Sequence, residues 1–240
     1  MSRRTALVTG SVRRLGLEMA RGLARAGARV VLNGRDAGTL DAAAARLRDE
    51  GLNVTAAAFD VTDQDTARES VTALGPVDVL VNNVGHRDRR GVDALAPGDL
   101  ARLLEVHLVS AYALSQVVAR DLTSRGLPGR IINVSSVMGQ LGRAGDVAYA
   151  AAKAGLDGLT RALAADLGPS GITVNSVAPA RSPPRSTPST PTTSGGPTGC
   201  DRGPRSAAGG GPRKSPGSWS SWPATPRRSS PARPSQSTAG

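Results

Sequence analysis

A single cysteine, Cys200, in 240 residues excludes an internal disulfide and any metal site built from cysteines. No apolar run is long enough to span a bilayer, and none near the N-terminus has the length and basic flank of a signal peptide, so the cytoplasm is the expected location and no membrane partner is expected. Residues 180–240 contain no Val, Ile, Leu, Met, Phe or Tyr, yet hold twelve of the seventeen prolines. That stretch also carries nine cations (Arg181, Arg185, Arg202, Arg205, Arg213, Lys214, Arg227, Arg228, Arg233) against one acid, Asp201. It therefore supplies +8 of the formal charge of +11, and the high isoelectric point is a property of this part alone. Such a composition cannot bury enough apolar surface to offset the entropy of ordering it. The chain divides on this ground into a folded domain over 1–179 and a disordered, basic, Pro/Ser/Arg-rich tail over 180–240.

Within 1–179, short apolar strands are predicted at 6–9, 28–32, 54–59, 77–81, 130–134 and 172–177. They alternate with helical patterns at 15–26, 40–50, 63–74, 100–122 and 148–167. Strands and helices alternating at this length imply an α/β fold, a doubly wound parallel sheet of Rossmann type covered on both faces. Such a sheet binds ligands at the carboxyl ends of its strands, where the strand order reverses.

Two groups of residues fall at those ends. Thr9, Gly10, Ser11, Arg13, Arg14, Leu15 and Gly16 lie between the first strand and first helix, where backbone amides can cradle a pyrophosphate and glycines allow close approach. Further on, Ser136 follows the fifth strand, and Tyr149 and Lys153 lie one helical turn apart on the same face. A phenol with pKa about 10 is a poor acid at neutral pH. An ammonium beside it favours the phenolate. A hydroxyl from Ser136 could then hold a carbonyl oxygen while Tyr149 protonates it, which reads as carbonyl reduction. Tyr-x-x-x-Lys alone also occurs on many exposed helices, so the surrounding motifs carry the argument.

Those motifs resemble the short-chain dehydrogenase/reductase family from residue 5 to about 179. Thr9, Gly10 and Gly16 match its Thr-Gly-x-x-x-Gly-x-Gly turn, Asn82-Asn83-Val84-Gly85 its Asn-Asn-Ala-Gly run, and Asn175 to Pro179 the run that ends the sixth strand. The resemblance implies an NAD(P)-dependent oxidoreductase with Ser136, Tyr149 and Lys153 as catalytic residues. It also implies cofactor contacts from Asn83, Gly85, Tyr149, Lys153 and Pro179, with Asp60 and Val61 at the adenine. Two positions depart from the pattern. Arg14 stands where a glycine is usual and could bring charge to a phosphate. His107 stands where the family has its fourth catalytic residue, an asparagine that shapes a helix bend and holds a water. Histidine there reads either as a neutral space-filler or as part of the proton path.

The second strand ends at Asn33-Gly34-Arg35 without an acid. Arg35 with Arg13 could clamp a 2′-phosphate, which favours NADP over NAD. Asn33-Gly34-Arg35 and the run 59–63 resemble gluconate 5-dehydrogenase-like sugar-acid reductases, with 3-oxoacyl-carrier-protein reductases as the second reading. The substrate is expected to be a small carbonyl or alcohol. The basic loop His86-Arg87-Asp88-Arg89-Arg90 reads as a lure for a carboxylate or an acidic carrier protein, or as a solvated loop.

After Pro179 the family continues with glycine, a substrate loop, two helices and a strand ending near Val-Asp-Gly-Gly. Here Ala180 opens the Pro/Ser/Arg run instead. Read one base earlier, the codons open to Trp222–Gly240 permit LASDAASFVTGQTIAVDGG, which resembles that last strand, and Ala180 can become glycine. A frameshift near codon 180 is the leading expectation, with the seventh strand lost and homo-oligomers formed by the frame-corrected chain. Two other readings compete. The tail could be a basic arm for nucleic acid, with Trp219 and Trp222 stacking on bases, though no recognised motif accompanies them. The chain could also be a scaffold that has lost catalysis.

Overall fold

The computed structural model describes residues 4–179. Six parallel strands form one sheet in the order β3-β2-β1-β4-β5-β6: β1 (Thr5–Val8), β2 (Arg29–Gly34), β3 (Val54–Ala58), β4 (Val79–Asn82), β5 (Gly129–Val134) and β6 (Ile172–Val177). The helices are α1 (Arg14–Arg25), α2 (Ala37–Asp49), α3 (Gln64–Ala73), α4 (Pro97–Leu104), α5 (Ser110–Ser124), α6 (Met138–Leu141) and α7 (Val147–Leu167). The doubly wound sheet expected from the alternation is present. The basic tail and its Trp219 and Trp222 lie outside the described residues.

The two-residue period of the strands sorts the core. Ala6, Val8, Val30 and Leu32 pack with Ala20, Leu40, Ala44 and Leu47 on one face. Leu7, Val31, Leu80 and Ile131 pack with Val71, Leu114, Leu122 and Leu163 on the other. Aspartates start two helices: Asp36 accepts from the Thr39 amide at 2.7 Å, and Asp63 from the Thr66 amide at 3.1 Å. Successive strands run outward in opposite directions from β1 and β4, so the crevice lies at the carboxyl ends of these two. Among the described residues β6 pairs on one side only, and Val177 is 48% exposed. No described helix is long and apolar enough to cross a membrane.

One element differs from its sequence reading. The helix expected over 100–122 is a continuous rod in three pieces, with a π-helical turn at Glu105–Val109 between α4 and α5. Hydrophobic periodicity cannot show one inserted residue. Such turns often mark functional sites, and this one carries His107. The four-residue α6 is too short to leave a periodic signal.

Candidate active site

The turn after β1 is held rigidly by side chains that face into the protein. Thr9 Oγ1 donates to Val81 O at 3.3 Å and accepts from the amides of Asn83 at 2.9 Å and Val84 at 3.3 Å. Ser11 Oγ donates to Val8 O at 2.7 Å and accepts from the Asn33 amide at 3.0 Å. Asn83 Nδ2 donates to Thr9 O and Gly10 O at 2.9 and 3.0 Å. These three residues, expected as cofactor contacts, use their side-chain polar atoms to frame the turn. Their side chains thus hold in shape the turn at which a cofactor contact is expected. Gly10 has φ +59, and a Cβ on Gly16 would stand 2.5 Å from both Asn83 Nδ2 and Gly10 O. Only glycine lets α1 sit this close to the turn.

Above that frame the surface is cationic. Helix α1 has no side-chain cap at Arg13, so its first-turn amides keep their bonding capacity. Arg13, Arg14 and Leu15 are exposed, and Arg14 holds φ +50, strained for a residue with a side chain. Exposed Arg35 lies 3.6 Å from the Asp60 carboxylate, whose other oxygen accepts from the Thr62 amide and hydroxyl at 2.9 and 2.8 Å. Burial pushes the Asp60 carboxyl up, but the Thr62 bonds and Arg35 outweigh it and hold the group below its ordinary range. Val61 is buried in the core beside it. Free amides, a close-packed glycine turn and three exposed guanidinium groups fit an anionic dinucleotide with an additional phosphate.

Ser136 lies half-buried just beyond β5, its Oγ accepting from the Met138 amide at 3.2 Å and making no hydrogen bond to Tyr149. Tyr149 and Lys153 share a face of α7, with Lys153 Nζ 5.8 Å from the phenol ring centroid. Lys153 is 4% exposed, and its ammonium donates to Val134 O at 2.6 Å. Burial pushes it down to about 8, partly opposed by Asp157. Only two of the thirty cations in the chain are lysines, Lys153 and Lys214. Burial readily tunes a lysine and does not tune an arginine, so a lone lysine in an arginine-built domain is itself a signal.

His107 is 2% exposed on the π turn. Its Nε2 lies 2.8 Å from His86 O and 3.3 Å from the His86 amide. Burial first, and then the charge of Lys153, push the imidazole down to about 4, so it is neutral near pH 7. A Cβ on Gly85 would stand 2.4 Å from His107 Cε1, so the glycine makes room for the ring. His107 Nδ1 and Asn82 Oδ1 have no protein partner. Both residues line one small cavity of about 10 Å³, measured as the space open to a water's centre, which is room for a single water.

The basic loop is partly neutralised by acids around it, while His86, Arg89 and Arg90 stay exposed, as the solvated reading has it. Arg87 pairs with buried Asp146 at 2.6 Å, and Arg90 pairs with Asp88 and with Asp99. Arg89 is exposed and has no acidic partner among the described residues. Sequence reasoning missed Asp146, and also a buried polar ladder in which Asn82 Nδ2 donates to Asn133 Oδ1 at 2.9 Å and Asn133 Nδ2 to Thr160 at 2.9 Å. The signal was an asparagine at the end of each of two apolar strands, facing one another in register. Pro179 closes the described chain, half-buried beyond β6.

The sequence profile of the family described as short chain dehydrogenase matches residues 4–189. A gluconate 5-dehydrogenase of Gluconobacter oxydans is 42% identical over 178 residues, which cover 72% of this chain and 69% of the relative. A 3-oxoacyl-carrier-protein reductase of Pseudomonas aeruginosa is 37% identical over 180 residues, covering 73% and 72%. Among solved structures, a gluconate 5-dehydrogenase of Burkholderia cenocepacia in complex with NADP and tartrate is 40% identical, with a TM-score of 0.71 over 74% of this chain and 71% of that one.

Proposed function

The chain belongs to the short-chain dehydrogenase family, and on that premise we propose that it transfers hydride reversibly between NADP(H) and the carbonyl or secondary alcohol of a sugar acid such as 5-ketogluconate. The observation that carries the reading is the convergence of Tyr149, buried Lys153 and neutral His107 at the carboxyl ends of β4 and β5, on a sheet whose relatives include gluconate 5-dehydrogenases. Arg13, Arg14 and Arg35 would hold the phosphates of NADP(H), which supplies the hydride when bound. In the reducing direction the Ser136 hydroxyl holds the substrate oxygen, and Tyr149 gives that oxygen its proton. The carbonyl thus gains one hydride and one proton and becomes an alcohol. Lys153 stabilises the charge left on the phenol, and solvent returns the proton. Self-assembly into homo-oligomers is proposed for the frame-corrected chain.

The test measures NADPH and NADH binding to the full chain by quenching of cofactor fluorescence, and turnover of 5-ketogluconate against an acetoacetyl thioester. Tighter NADPH binding, lost in an Arg13→Ala/Arg35→Ala variant, and turnover of the sugar acid support the reading. Equal affinity for the two cofactors, or turnover of the thioester alone, overturns the cofactor or the substrate part of it.

A further inference from the structure

We propose that Arg87, clamped by Asp146, is a positioning residue for Tyr149: its guanidinium lies on the face of the phenol ring and stabilises the negative charge that ring acquires on giving up its proton. The inference rests on Tyr149 being the proton donor. It goes beyond that reading because no motif places a cation at position 87.

The geometry carries it. Arg87 Cζ stands 4.5 Å from the Tyr149 ring centroid, within the reach at which a cation is attracted to a ring face. Asp146 is 2% exposed and meets Arg87 through one bond only, Nη2 to Oδ2 at 2.6 Å. Arg87 Nε and Asp146 Oδ1 are both buried without a partner. A guanidinium meeting a carboxylate frequently takes the two-bond fork. Here one of those bonds is given up while the plane stays over the tyrosine. A buried ion pair is also a poor device for stability. Beside a phenol that must carry charge in the transition state, a fixed cation acts more strongly on that state than on the neutral ring.

The groups facing Tyr149 come from several elements. His107 approaches from the π turn and is neutral near pH 7. Lys153 approaches from the same helix. Arg87 comes from the loop after β4, with Asp146, at the start of α7, behind it. The charges acting on the ring are therefore Lys153 and the Arg87–Asp146 pair, with its positive end inward.

The chain has two tyrosines, Tyr112 and Tyr149, so a Tyr112→Phe background leaves one phenol. Its ionisation can be read from the ultraviolet band of the phenolate in the full chain, without cofactor or substrate. In that background R87M should move the ionisation of Tyr149 to higher pH by about half a unit or more, and R87K, which keeps the charge, should restore most of the shift. In turnover, R87M should lower kcat about tenfold with KM and NADPH binding unchanged. If R87M fails to fold, R87M/D146V replaces the pair with apolar side chains and is titrated in its place. Superimposed titrations for the parent and R87M, or equal shifts for R87M and R87K, overturn the proposal, since a loop tie alone would not follow charge. Full activity in Tyr149→Phe would instead sink the reading of Tyr149. A dead Tyr149→Phe beside an unaffected R87M would sink only this inference.

Discussion

The imidazole of His107 stands edge-on to the ring of Tyr149, with centroids 5.4 Å apart and planes crossing at 86°. The contact depends on the π turn, which carries His107 into the site, and on Gly85, which leaves the ring its space. A neutral imidazole at this place is a strut. It packs against the phenol, ties the root of the basic loop through His86, and carries no charge near pH 7.

Stability should report that neutrality. The folded-state value of His107 is about 4, below its ordinary 6.5. As pH falls below 6.5 the unfolded chain takes up a proton that the native chain refuses, so stability drops until about pH 4 and is flat from this group below that. The total is about 3 kcal/mol. Urea unfolding of the chain and of His107→Asn across this range should show the drop in the first and its absence in the second. The same slope in both would mean that His107 is not held neutral.

Gly85→Ala should destabilise the fold by about 1–3 kcal/mol, because its Cβ would stand 2.4 Å from His107 Cε1 in a packed site. In a double-mutant cycle with His107→Ala the two effects should fall well short of additive. Additive losses would show that Gly85 answers to something other than the ring.

Lys153 illustrates a functional group held at the expense of stability. Its folded value of about 8 lies below its ordinary 10.5, so stability falls as pH drops from 10.5 to 8, and the cost stays constant below that. That cost is about 3 kcal/mol, against which stands the bond to Val134 O. Lys153→Met should therefore melt no lower than the parent near pH 7, lose the rise in stability between pH 8 and 10, and lose turnover. A marked fall in melting temperature would show that the Val134 bond outweighs burial.

Much of the fold was legible because apolar runs of strand length alternate with helical patterns, and each strand end carries a recognisable turn. The places of Ser136, Tyr149 and Lys153 in the fold were legible because two of them share a helix face and the third follows a strand. What stayed hidden depends on tertiary neighbours. The side-chain bonds of Ser11 and Asn83, which hold Asn33 and Gly10, could not be read from position. Arg87 looked solvated because Asp146, its partner, is far along the chain and gains meaning only when α7 packs beside the loop. The π turn leaves no trace in composition at all.

The reading-frame expectation gives the last prediction. β6 ends the described sheet with Asn175, Ser176 and Val177 exposed, the state of a strand whose outer neighbour lies elsewhere in the family's sequence pattern. The codons open to Trp222–Gly240 allow such a strand one base away, and the substrate loop that excludes water from a bound nicotinamide follows Pro179 in the family. Resequencing the gene around codon 180 should reveal the slipped base, and a frame-corrected chain should exceed the present one in NADPH-dependent turnover by about a hundredfold or more. It should also form a stable oligomer by light scattering where the present chain does not. Equal turnover in the two chains would mean that residues 4–179 complete the site by themselves, and that 180–240 is a coding sequence in its own right.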